Sequence, residues 1–135
     1  IETVKMACVV PTEDGSGVKQ TTVEIEANKV TPKAALLAML NVDRAQKYPV
    51  FSKDIEITSV TVKDGIASVE VNDAFVKGNG GDLTVKLQMA AIVNTLTSFD
   101  NINGVLFVNN GKKVPTVGSF DTKEPVKRMT NLIKK

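Results

Sequence analysis

Ser52-Lys53 is the one neighbouring pair whose residue types could make an activated nucleophile, and it sits in a chain without a single histidine. The missing imidazole removes the His-containing Ser and Cys triads and the usual catalytic zinc sites. A Ser-Lys dyad needs its amine within hydrogen-bond reach of the hydroxyl, and adjacency in a loop does not by itself aim one side chain at the other. Cys8 likewise has no base to activate it. It lies in Val4-x-Met6-x-Cys8-x-Val10, where strand alternation puts all four side chains on one face, so a buried and inert thiol is expected. As the only cysteine it can form no disulfide within the chain. A lipidation role would need an apolar signal segment upstream, and only seven residues precede Cys8; the opening at Ile1 without a methionine suggests a mature or trimmed form.

Carboxylates and glycines offer other chemistry. Glu24 and Glu26 share one strand face about 7 Å apart, a glycosidase-like spacing, but they alternate with Val23 and Ile25 and so read as a solvated face. Asp14-Gly15-Ser16-Gly17 is too short for a calcium loop and lacks its closing acid. The best ligand candidate is Gly78-Asn79-Gly80-Gly81, a loop ahead of a helix whose free amides could cradle an anion. Asp82 weighs against it, because as the expected N-cap it brings its own negative oxygen, and no lysine ends the loop. The tail holds Lys123, Lys127, Arg128, Lys134 and Lys135; of these Lys127, Arg128 and Lys134 are the candidate partner surface, weighed against a plain solvated face. No catalytic residue, metal ligand or cofactor is expected.

These residues must be positioned by a domain of modest size. A chain of 135 residues can bury roughly two thirds of its unfolded surface around one core. Its 42% hydrophobic and 24% charged residues exclude disorder, and 4% aromatic leaves the core to aliphatic side chains. The longest apolar run, residues 34–40, is far short of the roughly 20 residues of a spanning helix. The net charge of +2 concentrates in residues 121–135, with five Lys/Arg against two acids. That leaves no broad basic face for nucleic acid.

The hydrophobic pattern predicts an opening hairpin from residues 4–10 and 21–25. A buried helix follows, capped by Thr31, started by Pro32 and apolar nearly all round over residues 34–40. Residues 55–63 and 66–71 read as a second hairpin turning at Asp64-Gly65, with a bulge near Thr58-Ser59. A long helix carries Val85, Met89, Ile92, Leu96 and Phe99 on one stripe, Leu83, Leu87 and Ala90 beside it, and Thr84, Gln88, Thr95 and Ser98 on a wet face. A third hairpin turns at Asn110-Gly111 into residues 112–117, which Pro115 makes an edge strand. Val126, Met129 and Ile133 would align on a short terminal helix that docks on the core, so that deleting residues 124–135 should lower the unfolding midpoint. The predicted fold class is α/β in the α+β sense: one mixed or antiparallel sheet from three hairpins, two main helices on one face and a short C-terminal helix. Residues 1–135 read as a single domain, with a core of about residues 4–120 and a basic amphipathic tail.

Taken in order, six segments resemble the GerMN family of sporulation and spore germination domains. They are Val9-Val10-Pro11 with its acidic-glycine turn, Thr31-Pro32-Lys33-Ala34-Ala35-Leu36-Leu37-Ala38-Met39-Leu40, and the hairpin of residues 57–71. Asn72-Asp73-Ala74-Phe75, residues 88–97 and Gly104-Val105-Leu106-Phe107-Val108-Asn109-Asn110-Gly111-Lys112 complete the set. The resemblance implies an exported domain, often lipoprotein-anchored, without established enzymatic chemistry and similar in fold to ring-building modules of envelope assemblies. It implies envelope or sporulation-complex proteins as partners, self-association, and membrane attachment only through a lipid anchor or signal segment that this sequence does not contain. The alternative it leaves is a binding module for a cell-wall glycan or small anion. One copy of the pattern is present where tandem members have two, and residues 42–55 lack the proline- and glycine-rich spacing often seen there.

Overall fold

The chain opens on a long antiparallel hairpin, β1 (Thr3–Pro11) and β2 (Val18–Glu26), in a computed structural model that describes residues 2–78, 81–130 and 133. Two bonds fix the phase of the ladder: Thr12 N–H donates to Gly17 O at 2.9 Å, and Ala27 N–H to Glu2 O at 2.9 Å. Even-numbered residues of β1 therefore bond to β2, and the odd ones turn amide and carbonyl outward. Asp14 organises the connecting turn by accepting from Ser16 N–H at 3.1 Å and from the hydroxyls of Thr12 and Ser16, each at 2.7 Å.

Helix α1 (Pro32–Arg44) starts as its sequence predicts, with Thr31 Oγ1 accepting from Ala34 N–H at 3.0 Å and Pro32 in the first turn. It is one-sided rather than buried all round: Ala35, Leu36, Met39 and Leu40 face the core while Leu37 is exposed. Its last turn clamps the loop that follows. The fully buried Asp43 carboxylate accepts from Val50 N–H and Phe51 N–H, and Arg44 Nη2 donates to Ser52 O at 2.9 Å and Ile55 O at 2.7 Å.

Strands β3 (Ile57–Lys63) and β4 (Ile66–Val71) form the expected hairpin, with the ladder shifting between Ile57 and Ser59 and with Asp64 and Gly65 both at positive φ. A short helix, α2 (Asp73–Val76), and a long one, α3 (Asp82–Thr97), carry the chain to β5 (Gly104–Asn109), which lies parallel to β4. The turn at Asn110 and Gly111, again both at positive φ, leads to β6 (Lys112–Lys113), which completes a four-stranded sheet in the order β3-β4-β5-β6. Pro115 interrupts the predicted strand 112–117, so its second half becomes β7 (Thr116–Val117), paired with β8 (Phe120–Asp121).

The architecture is α+β as expected, but three separate sheets replace the single one, and this changes where α3 sits. The helix touches β1 and β2, α1, β5 and β8. Val85, Leu87 and every residue from 88 to 96 are buried. Half of the predicted wet face is therefore internal: Gln88 is 2% exposed and Thr95 fully buried, while Ser98 is exposed and Thr84 half-buried, and Leu83, assigned to the apolar row, is 60% exposed. Each buried polar side chain has a backbone partner, as burial demands. Thr95 Oγ1 accepts from Val9 N–H at 2.8 Å and donates to Val9 O at 3.2 Å, while Gln88 Nε2 donates to Val50 O at 2.9 Å.

Residues 122–130 form no helix. Val126 exchanges both backbone bonds with Val105, at 2.8 and 3.0 Å, and Asn94 accepts from Met129 N–H and donates to Met129 O, both at 2.8 Å. These bonds to outside partners replace the intrasegment ladder that a marginal short helix would need. Val126 and Met129 still pack against the core, and Ile133 bridges Val18, so the tail docks in extended form.

Candidate functional site: the open edge of the first strand

From Lys5 to Pro11 the odd residues of β1 present four outward positions, and the structure treats them in two ways. Val9 is satisfied by Thr95, and Pro11 O accepts from Gln46 Nε2 at 3.0 Å. At Lys5 and Ala7 the outward amides and carbonyls meet no partner among the described residues. They border a groove of about 180 Å³ lined by Lys5, Met6, Ala7, Val30, Ser98 and Phe99. Ser98 Oγ is engaged with Asn94 O at 2.8 Å, so the groove wall is largely hydrocarbon from Met6, Val30 and Phe99. An open strand edge beside an apolar groove can accept an extended peptide: the backbone supplies hydrogen bonds, and the groove takes alternate side chains.

The candidate residues from the sequence fall elsewhere. Gly78 has a positive φ of 65° and lies against Gly118, where an added Cβ would come 2.5 Å from the Gly118 Cα; close backbone packing accounts for this glycine. Gly81, and not Asp82, occupies the N-cap of α3. Asp82 is the first helical residue, and its Oδ1 accepts from Ser119 Oγ at 2.6 Å. Asn79 and Gly80 lie outside the described residues, as do Lys134 and Lys135. Lys127 is exposed. Arg128 instead reaches the far end of α3, with Nη1 donating to Asn94 O at 3.3 Å and Thr97 Oγ1 at 3.4 Å, a favourable place for a cation beside unsatisfied helix carbonyls. The glycine loop and Arg128 thus stand at opposite ends of a helix about 22 Å long and form no common site.

Residues with catalytic potential are not brought together either. Ser52 Oγ donates to Asp54 Oδ1 at 2.5 Å. Cys8 is buried, which raises the pKa of its thiol, and Glu26 pairs with Lys29 at 3.3 Å. Among the described residues no three His, Cys, Asp or Glu side chains cluster to hold a metal, and no helix is long and apolar enough to cross a membrane. Lys5 and Ala7 were missed in the sequence because alternation shows which face of a strand is buried and says nothing about which edge lacks a neighbour. The hairpin prediction alone was their only available signal.

The described elements define a class, an α+β domain in which a nearly enclosed helix joins a long hairpin to a mixed sheet. Within that class the chain belongs to the Germane family, described as sporulation and spore germination, whose pattern matches residues 9–115. Solved structures share the fold. The first GerMN domain of the sporulation protein GerM from Bacillus subtilis superposes with a TM-score of 0.64 at 16% identity, covering 93% of this chain and 98% of that one. The tandem GerMN domains of the same protein give 0.69 at 19%, covering 96% of this chain and 47% of that one, so the present chain spans about half of the tandem. A candidate lipoprotein from Clostridium perfringens gives 0.62 at 20%, covering 93% and 87%. No curated protein matches the chain.

Proposed function

We propose that this chain is a non-catalytic, extracytoplasmic domain that works by protein–protein assembly at the cell envelope, through strand addition at the β1 edge. The observation that carries the reading is the pair of outward backbone positions at Lys5 and Ala7 beside the groove of Met6, Val30 and Phe99. Natural proteins usually cover or blunt such an edge. The family description supports a sporulation or germination setting, and the lipoprotein named among the similar structures supports an envelope location. The partner is an extended segment of an envelope or sporulation-complex protein, or a second copy of this chain.

Ala7→Pro tests the edge. It removes an amide that faces away from β2 and leaves the β1–β2 ladder intact. Capture of partners from envelope extracts, or self-association in sedimentation, should be lost while the unfolding midpoint moves little. Undiminished association by a folded Ala7→Pro protein would overturn the reading.

A further inference from the structure

A second cleft lies away from the β1 edge, at the carboxyl ends of the parallel strands β4 and β5. It encloses about 530 Å³, within the range of small-molecule sites, and its polar lining comes from Thr58, Glu70, Asn72, Asp73, Asn109 and Asn110. Carboxyl ends of parallel strands are where open α/β sheets present ligand sites, because the connections leave there in different directions.

The hydrogen-bond inventory indicates what would fit. Each side-chain donor group of the lining already gives at least one bond to a protein acceptor, and only one N–H each of Asn72 and Asn110 is left over. Asn72 Nδ2 donates to Asp54 O at 2.7 Å, and Asn109 Nδ2 donates to Val71 O at 2.9 Å and Asp73 Oδ1 at 3.1 Å. Asn110 Nδ2 donates to Asn109 Oδ1 at 3.2 Å, and the Thr58 hydroxyl to Glu70 O at 3.4 Å. The acceptors are only half used. Glu70 takes Asn110 N–H on Oε2 at 2.8 Å and Asp73 takes Asn109 on Oδ1, so each carboxylate is fixed by one oxygen and keeps the other without a partner among the described residues. Asn110 Oδ1 is unengaged in the same sense. No lysine or arginine lines the cleft, and neither acid has an ion-pair partner among the described residues. Lys112 and Lys113 line a neighbouring cleft that shares Asn109 and Asn110.

We propose that this cleft binds a protonated primary amine. Spare carboxylate oxygens from Glu70 and Asp73 and the amide oxygen of Asn110 offer acceptors to a group with three donors and one positive charge. An anion would meet two acids and no free cation. A bare calcium ion would want six to eight oxygens, more than these residues hold out. The amine could be carried by an amino sugar or by a lysine-like side chain of a peptide, which present the same ammonium group.

Titration of the labelled protein by NMR, following the amides of Asn109 and Asn110, separates the sources. Glucosamine and Nα-acetyl-lysine amide are the probes; N-acetylglucosamine and the doubly acetylated lysine amide are the neutral controls. At least one amine should give saturable shifts at these residues, its acetylated counterpart none, and Asp73→Asn should weaken binding about tenfold with an unchanged unfolding midpoint. Binding of glucosamine alone identifies the glycan source, of the lysine derivative alone the peptide source, and of both the ammonium group itself. No saturable shift with either amine, or equal binding of the neutral controls, would overturn the proposal. Ala7→Pro does not touch this cleft, so its failure and that of the edge reading are read separately.

Discussion

Asp14 and Asp43 each hold a loop by accepting hydrogen bonds from backbone or hydroxyl donors, yet their acidities move in opposite directions. Asp14 stands in the exposed turn between β1 and β2, where bonds from the Thr12 and Ser16 side chains and the Ser16 amide bring its pKa down to about 2. Asp43 is enclosed at the end of α1. There burial outweighs the bonds from Phe51 and Val50 and the charge of Arg44, and its pKa rises above the usual value of 3.8. Hydrogen bonds of similar kind stabilise both carboxylates; the loss of water decides the sign only where it is nearly complete. The exposed turn closes a hairpin that its own ladder already specifies. The enclosed one fixes a loop that has no ladder of its own.

The largest expected effect comes from Asp43→Ala. Removing the carboxylate leaves Val50 N–H and Phe51 N–H without an acceptor in a buried site, and the domain should lose about 3 kcal/mol of stability in urea titration. Asp43→Asn should lose much less, because Oδ2 alone receives both amides, at 3.1 and 2.9 Å, and an amide oxygen can stand in its place. An equal loss in both variants would show that charge, not acceptance, holds the loop.

Thr95→Val provides a neutral counterpart. It strands the Val9 amide and carbonyl against a buried helix and should cost about 1–2 kcal/mol, read from the same titration, with no change in pH dependence.

The smallest effects separate the two acids by pH. The folded state holds a proton on Asp43 more tightly than the unfolded chain does, so this group favours folding at low pH and its contribution falls as pH rises from 3.8 through the raised value. Asp14 does the reverse: its contribution is present above 3.8 and is lost as pH falls through about 2. Stability curves for Asp43→Asn and Asp14→Asn, each compared with the parent, should therefore differ from it with opposite slopes. Slopes of the same sign would break the comparison.

Much of the fold was legible from local chemistry. Thr31-Pro32, Asp64-Gly65 and Asn110-Gly111 specify a helix start and two tight turns within a few residues, and each is found where the sequence predicts. What escaped is what depends on distant partners. Gln88 and Thr95 look like part of a solvated face because periodicity ranks residues by polarity, while their actual partners are Val50 and Val9. The terminal stripe of Val126 and Met129 was recognised as docking, but its helical form was not borne out, since Val105 and Asn94 compete for the same backbone groups. The candidate site was less legible still. Gly78 marked a place of close packing, and neither the Lys5–Ala7 edge nor the acceptor-rich cleft leaves a contiguous motif.

The bond from Thr95 to Val9 joins residues 86 positions apart. During synthesis at about 5–20 residues per second, β1 therefore emerges on the order of ten seconds before the helix that receives it. In that interval α1 and Gln46 can already reach β1, but the outer edge from Lys5 to Val9 stays open to water and to other chains. Closing the first strand against the last turn of α3 is a late, long-range commitment, and until then a newly made chain is open to misassociation at the same edge we propose for assembly.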